Sequence, residues 1–294
     1  YGRTIAQATL KALEDKDHLT LNQKASKKDK LSRVYAVDKA LCPDWLSFRN
    51  HGEGPLVIVR SPKWRNANGK ITGGARKGRK HFLPQIKRLE EQVVSINAKM
   101  LSEPLCAPSG RQFVRCYRVF NNGVLGAGGR LYGHWQGKPE EERLAMTISG
   151  EAVVEIDIKA SFLSIASARF ESNLQLGPDP YQRVQFVNSP EDDDERQRNR
   201  KAAKLLINAY FFKSGQLQKF PKGEKDKTTG KTINFKTKYQ LDKPVVHYMH
   251  QINNAFPFLK DVKQDGFTLM YEESEIMIQA IESLLQQDVV SYPV

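Results

Sequence analysis

Apolar residues recur at the spacing of an α-helix in several separate stretches of the chain, and they alternate with polar residues in others. The helical pattern predicts helices within 1–18, 83–101, 161–170, 190–215, 246–262 and 269–287. Strand-like patterns occupy 52–60, 111–120, 145–158 and 288–294. Helices and strands are both predicted, and the expected fold class is α+β.

The segment AMTISGEAVVEIDI at 145–158 predicts a β-hairpin that turns at Ser149-Gly150. Asp157 interrupts its apolar run, and a helix is expected to begin at Ser161. An aspartate before a helix is commonly an N-cap, which needs no metal. A carboxylate at a strand end can instead hold Mg²⁺ together with substrate phosphates. Taken alone, the pattern favours the cap.

A second candidate lies on the predicted helix within 190–215. Arg200 and Lys204 are one helical turn apart, and Phe212 follows two turns later on nearly the same face. Such a face can bind a triphosphate and stack on a base. Alternatively, the two cations pair with the acidic residues at 193–195 and Phe212 is core, on an apolar face with Leu205, Leu206 and Ala209. The helix alone favours this second interpretation.

The glycine-rich segment GVLGAGGRLYG at 123–133 matches neither a dinucleotide-binding fingerprint nor a P-loop. It is either a flexible turn or a tight backbone that lets Arg130 approach a polyanion or a base edge. The net charge of +13 favours a polyanionic partner, because the lysines and arginines are concentrated in four blocks. These basic blocks lie at 24–30, 75–80, 196–204 and 213–243.

Three cysteines without a C-x-x-C pair argue against a zinc site and against a disulfide framework, which fits a reducing compartment. No apolar run approaches the roughly 20 residues that a membrane-spanning helix needs, so no membrane partner is expected. The N-terminus has no signal-peptide pattern. We therefore expect a cytoplasmic protein, acting at the nucleoid or at a replication site of a phage or mobile element.

In their order along the chain, these motifs resemble the polymerase domain of family A DNA polymerases. Gly-Arg-Leu at 129–131 matches the family's Thr-Gly-Arg-Leu element, and Asp157 matches its first catalytic aspartate. Arg200, Lys204 and Phe212 match the helix that follows. GPDPY at 177–181 stands where the family has a Gly-Asp-aromatic element. The resemblance covers about 111–294.

The chain departs from the family pattern at several positions. Asn208 replaces an aromatic residue, and Lys213 replaces the glycine that follows Phe212. The triplet Ile158-Lys159-Ala160 with Phe162 is closer to reverse transcriptases. The family's last motif, a His-Asp pair with the second catalytic carboxylate, would begin about where Val294 stands, so we expect that carboxylate just beyond it.

The resemblance implies a right-hand polymerase with an antiparallel-sheet palm, helical fingers and a small, mostly helical N-terminal or thumb region. The implied divisions are 1–110 for the N-terminal or thumb region, 111–170 for the first part of the palm, 171–260 for the fingers and 261–294 for the second part of the palm, truncated before the last catalytic motif. No proofreading exonuclease is expected. The implied activity is template-dependent extension of a primer by deoxynucleoside triphosphates, as a DNA-directed DNA polymerase.

The resemblance also assigns roles to individual residues. Asp157 and the Ile158 carbonyl are expected to bind two Mg²⁺ ions, for which Mn²⁺ could substitute. Lys204 is the expected catalytic acid, and Arg130 is expected to contact the primer terminus. The expected nucleotide-binding residues are Arg200, Lys204, Asn208, Phe212 and Phe162, the last as a selector against the ribose 2′-hydroxyl. The alternative for Phe162 is plain core packing of the following helix, which is compatible with that role.

Three alternatives stay open. One is a primer-independent or RNA-synthesising polymerase on the same palm. The second is a non-catalytic nucleic-acid-binding protein in which Asp157 is a cap. The third is a metal nuclease, which is weaker because no second acidic or histidine ligand to act with Asp157 is apparent.

Overall fold

The computed structural model describes residues 19–23, 34–37, 54–65, 71–76, 83–170, 174–213, 217–225, 230–262 and 266–294. The chain forms two compact units, Tyr1–Glu53 and Gly54–Val294. In the first unit, strands β1 (Leu19–Gln23) and β2 (Val34–Val37) pair in antiparallel fashion. The helix predicted within 1–18 and the basic block at 24–30 lie outside the described residues.

The described part of the second unit mixes helices and short strands, which confirms the predicted α+β class. The helices are α1 (Leu83–Ser102), α2 (Glu140–Leu144), α3 (Ser161–Arg169), α4 (Gln185–Asn188), α5 (Asp193–Phe211), α6 (Phe235–Lys238), α7 (Val245–Ala255) and α8 (Gly266–Gln286). The strands are β3 (Val57–Val59), β4 (Lys63–Arg65), β5 (Ile71–Gly73), β6 (Leu105–Cys106), β7 (Gln112–Phe113), β8 (Cys116–Phe120), β9 (Gly128–Gly133), β10 (Thr147–Ile148), β11 (Glu151–Ala152), β12 (Glu224–Lys225) and β13 (Thr232–Ile233).

Two small sheets organise the second unit. A mixed sheet has the order β3-β8-β9, in which β3 runs parallel to β8 and β8 antiparallel to β9. An antiparallel sheet has the order β11-β10-β6-β7. Strands β4 and β5 form a separate antiparallel pair, as do β12 and β13. None of the described helices is both long and apolar enough to span a membrane.

The hairpin predicted at Ser149-Gly150 is confirmed. Strands β10 and β11 pair across that turn, with φ of 52° at Ser149 and 83° at Gly150. Two successive left-handed residues make the turn whose twist matches that of paired strands. Strand β11 ends at Ala152, however, so the predicted strand does not continue to residue 158.

Two other predictions about regular structure are wrong for the described residues. Residues 289–294 form no strand, because Tyr292 and Pro293 bond to other elements: the Tyr292 hydroxyl accepts from Leu105 N at 2.9 Å, and the Pro293 carbonyl accepts from Trp135 Nε1 at 2.8 Å. The region before residue 111 is not mostly helical, since its described residues hold strands β1 to β6 beside α1.

Helix α5 begins where its sequence predicts. The Asp192 side chain caps it by accepting from Glu195 N at 2.8 Å, and the acidic first turn suits the positive end of the helix dipole. The buried face carries Ala202, Ala203, Leu206, Ile207, Tyr210 and Phe211. The predicted face was therefore rotated: Leu205 and Ala209 are only partly buried, and Phe212 is 42% exposed.

Helix α8 joins the two main apolar cores. Leu269 belongs to a core built mainly by α3, α5 and α7, whereas Ile278 and Ile281 belong to a core with α1 and the antiparallel sheet. The side chain of Arg118 on β8 is fully buried and donates from Nε to the Gly129 carbonyl at 2.8 Å. It also pairs with Glu275 of α8. Strands β8 and β9 are thereby fixed against α8.

Candidate active site

Asp157 lies in the segment 153–158, which pairs with no other strand in the described part of the chain. Its side chain is exposed and forms no hydrogen bond or ion pair with a described residue. The N-cap of α3 is Ala160, which has φ 50° and ψ 39° and no side-chain cap bond. The interpretation of Asp157 as a helix cap is therefore wrong. A left-handed conformation at a residue with a Cβ is strained, typically by about 1–3 kcal/mol, and such strain is frequent next to functional sites.

The segment before Asp157 is anchored by one side chain. Glu155 accepts hydrogen bonds from Arg143 Nε at 2.5 Å and Nη2 at 2.9 Å, and Arg143 Nη1 also donates to the Lys138 carbonyl. The hydrogen bond from Arg143 lowers the pKa of Glu155. On the opposite side of the segment, Val154 and Ile156 are 81% and 84% exposed. The alternation is that of a strand, with its apolar side facing outward.

A cluster around Tyr181 brings two sequence motifs together. Arg200 Nε donates to Asp179 Oδ2 at 2.7 Å, and the Arg200 guanidinium lies 5.3 Å from the centre of the Tyr181 ring. Arg200 thus pairs with the GPDPY element, and the alternative of a pair with 193–195 is wrong for this residue. The acidic start of α5 pairs with Arg196 instead, through Asp193.

The pKa of Tyr181 depends on the charges around it, including that of Asp157. Burial raises the pKa of Tyr181; the positive charge of Arg200 opposes that rise, and the negative charges of Asp179 and Asp157 add to it. At Asp179 burial acts to raise the pKa, but the hydrogen bond and charge of Arg200 outweigh it, so the pKa is lowered. Asp157 is therefore close enough to Tyr181 to act on it electrostatically, and the Arg200 guanidinium contacts the same ring.

The other predicted residues of α5 continue from Arg200 at intervals of four. Lys204 is exposed and has no acidic partner among the described residues, and Asn208 is half-buried. Phe212 ends the helix as its C-cap. Residues four apart lie on one helix face, so the four side chains form a row beside the buried face.

Phe162 connects this row to Arg130. Its ring is 7% exposed and lies 6.0 Å from the rings of both Phe211 and Phe212. The Arg130 guanidinium lies 5.5 Å from the centre of the same ring, a cation–π contact. Phe212 also contacts Phe267 at the start of α8, at 5.2 Å. Packing of Phe162 in the core is therefore observed, and its predicted role as a sugar selector stays a prediction.

Arg130 is not free. It donates from Nε to Glu273 Oε2 at 2.7 Å, and the Glu273 Oε1 atom accepts from the Ser161 hydroxyl. Gly129, next to Arg130, is tightly packed: its φ is +79°, and a Cβ there would lie 2.9 Å from side-chain atoms of Arg118, Phe120 and Ser274. An approach of Arg130 to a polyanion or a base edge stays a prediction.

Comparison of the chain with protein families, curated proteins and solved structures gives no match.

Those side chains fit part of a magnesium site. Asp157 is exposed without a described ion pair, and Ile158 follows it in the same open segment with its side chain 41% exposed. Mg²⁺ usually takes one or two carboxylates and completes its shell with water and substrate phosphates. The described residues contain no cluster of three or more His, Cys, Asp or Glu side chains that could hold a metal. The described residues can thus supply one carboxylate to Mg²⁺, but they do not by themselves complete a two-ion site.

Sequence reasoning did not assign roles to Glu273, Ser161, Asp179 and Tyr181. Glu273 lies in α8, outside every motif described for the sequence. Its bond to Arg130 joins residues 143 positions apart, a separation that no local spacing can indicate. For Asp179 and Tyr181 a signal existed, since both belong to the GPDPY element between the two main motifs.

Proposed function

We propose that the protein is a template-dependent nucleotidyltransferase that extends a nucleic-acid primer with deoxynucleoside triphosphates, as a DNA-directed DNA polymerase of the right-hand type. In this proposal residues 111–170 and 261–294 contribute to the palm and residues 171–260 to the fingers. The supporting observation is that contacts and charges connect the predicted site residues. Asp157 acts electrostatically on Tyr181, whose ring is in contact with the Arg200 guanidinium. Phe162 contacts both Phe212 and Arg130.

The chemistry follows from the charges of these side chains. Asp157 and the Ile158 carbonyl would hold Mg²⁺, which when bound lowers the pKa of the attacking hydroxyl and stabilises the leaving pyrophosphate. Arg200 and Lys204 neutralise the β- and γ-phosphates of the incoming nucleotide. The primer 3′-hydroxyl loses its proton to water, its oxygen forms a bond to the α-phosphorus, and the bond from that phosphorus to the bridging oxygen breaks. The Lys204 ammonium donates its proton to the pyrophosphate that leaves.

The remaining side chains select and position. Phe212, partly exposed beside Asn208 on the row along α5, offers a ring face on which a base can stack. Phe162 supports Phe212 and lies close to where a ribose would sit. Arg130, held by Glu273, presents its remaining donors to base-edge acceptors, which the minor groove offers at every base pair.

Primer extension on the full-length protein tests the proposal. With a primer–template, deoxynucleotides and Mg²⁺ or Mn²⁺, we expect extension that Asp157→Ala abolishes and that the control Asp194→Ala leaves intact. Lys204→Ala should lower kcat by about 10²–10⁴, the usual contribution of a positioned acid. Extension that survives in Asp157→Ala contradicts the assignment of the site.

A non-catalytic nucleic-acid-binding protein is the second candidate. It is favoured by one observation: the described residues form no cluster of three or more His, Cys, Asp or Glu side chains that could hold a metal. In that case the wild-type protein binds the primer–template, and no nucleotide is added under any metal or with ribonucleotides. Extension with ribonucleotides alone would instead support an RNA-synthesising enzyme.

A further inference from the structure

A groove separate from the row along α5 lies between the loop at 218–221, the start of α6 and the start of α7. Its volume is about 430 Å³, and it is open to solvent. That volume lies within the roughly 300–1,000 Å³ that small-ligand sites occupy.

The floor of the groove is aromatic. Phe220 lines it and is stacked on Phe235, with ring centres 5.7 Å apart and planes inclined by 21°. Tyr248 of α7 packs against Phe220 at 6.2 Å. Phe235 and Tyr248 are buried, so the partly exposed Phe220 ring is supported from behind by the core. A ring fixed in this way can stack on a base without further ordering.

The walls carry positive charge. Lys219 and Lys236 line the groove, and both side chains are exposed. Between residues 217 and 246 the sequence has eight lysines and three acidic residues. One of the three, Asp242, is already paired with Lys243 and accepts from the Tyr248 hydroxyl. Helix α7 begins at Val245 without a side-chain cap, and Pro244, Val245 and Val246 line the groove, so the positive end of its dipole adds to the field.

We propose that this groove binds single-stranded DNA, with Lys219 and Lys236 on successive phosphates and a base stacked on Phe220. Basic grooves with a stacking platform are the usual means of holding a single strand without sequence preference. A duplex fits poorly, because its bases are already stacked on one another. The choice of DNA over RNA rests on the proposed function, in which the groove holds the unpaired part of the template.

The test measures binding rather than synthesis. Fluorescence anisotropy with a labelled oligothymidine of about 12 nucleotides, a length that one single-strand module can occupy, is followed over a range of salt without Mg²⁺ or nucleotides. Lys219→Glu/Lys236→Glu is compared with the control Lys87→Glu/Lys260→Glu. Both double variants lower the net charge from +13 to +9.

We expect the groove variant to bind about tenfold more weakly than the control, and its salt slope to fall by about 1.4, since each single-strand phosphate contact contributes about 0.7. Phe220→Leu, which keeps an apolar side chain over Phe235, should weaken binding without changing the slope. Circular dichroism establishes that each variant is folded.

Three results overturn the proposal: equal affinity and slope in the groove and control variants, an equal loss with a blunt duplex, or an effect with oligouridine that is absent with oligothymidine. Failure of the polymerase assignment is distinguishable from these. The comparison of the groove and control variants needs neither Mg²⁺ nor nucleotides, so its outcome is the same whether or not the wild type extends a primer.

Discussion

The guanidinium of Arg130 is paired with the carboxylate of Glu273, 143 residues later in the chain. The Arg130 side chain is 41% exposed and that of Glu273 15%, so the pair lies at the edge of the core with its cation toward solvent. Ser161, at the start of α3, donates to the same carboxylate. Glu273 therefore links β9 and α3 to α8, and it limits the directions in which Arg130 can donate.

Replacing Glu273 should release Arg130. We expect Glu273→Gln to lower the free energy of unfolding by about 1 kcal/mol, a small value because Arg130 is partly exposed and water screens the pair. Affinity for primer–template should rise slightly, since the freed guanidinium can meet a phosphate. Denaturant unfolding and anisotropy measure the two effects. Glu191→Gln makes the same charge change at an exposed carboxylate that forms no ion pair with a described residue, and it should do neither. Equal behaviour of the two variants contradicts the role of Glu273.

Phe162 should affect both stability and sugar selection. Phe162→Ala removes a core ring and is expected to lower stability by about 3–5 kcal/mol. Phe162→Leu keeps most of the volume and should lower it by less than about 1.5 kcal/mol. If Phe162 presses on the ribose, Phe162→Leu also lowers the ratio of kcat/KM for deoxynucleotides over ribonucleotides. Phe211→Leu, a change to the neighbouring buried ring, serves as control. A ratio that changes equally in both variants removes Phe162 from sugar selection.

The pair of Glu155 and Arg143 should make stability depend on pH. The hydrogen bond from Arg143 lowers the pKa of Glu155 below its usual value of 4.5, so the folded state binds that proton less readily than the unfolded state. The stabilisation is complete above about pH 4.5 and is lost as the pH falls through the lowered pKa. We expect about 1 kcal/mol from this group, in view of its partial exposure. Urea unfolding between neutral and acidic pH should show this loss in full in the wild type and in Glu151→Gln. The loss should be smaller by about 1 kcal/mol in Glu155→Gln, in which Asp179 and other carboxylates still contribute.

Gly266 should be needed for the position of Phe212. A Cβ at Gly266 would lie 2.7–2.8 Å from three atoms of the Phe212 ring, which is too close without a shift of the ring. We expect Gly266→Ala to destabilise by about 1–2 kcal/mol, the usual effect of overpacking less the higher helix propensity of alanine. In a Phe212→Leu background the penalty should shrink. A double-mutant cycle with a coupling energy near zero would show that the ring does not meet this position.

Local structure could be predicted from the sequence where neighbouring residues decide it. Helix α1, the turn at Ser149-Gly150 and the capped start of α5 each follow from spacing, turn chemistry or capping. The end of β11 could not be predicted, because a strand continues only where another strand supplies hydrogen bonds. The residue pattern within 153–158 cannot show whether another strand pairs with this segment, and no described strand pairs with it.

The candidate site residues could be chosen from the sequence, but the residues with which they pair could not. Arg200 and Lys204 were chosen from spacing, but the nearest acidic residues in sequence were not the partners of Arg200. Asp179 reaches it from the GPDPY element because that element packs against α5. The burial of Phe162 and the rotation of the α5 face have the same origin: tertiary packing decides which side of an aromatic-rich helix faces inward. The magnesium ions, the primer–template and the assigned roles stay predictions.

The outward-facing Val154 and Ile156 have a consequence for handling the protein. An extended segment with open backbone groups and apolar side chains can pair with the same segment of another molecule and so initiate aggregation. The net charge of +13 keeps molecules apart, but added salt screens that repulsion. We expect concentrated solutions to become turbid as ionic strength rises, contrary to ordinary salting-in, and Ile156→Lys to prevent it. Light scattering across a salt series would detect both effects, and a polyanion that covers the basic surface should promote turbidity in the same way as salt.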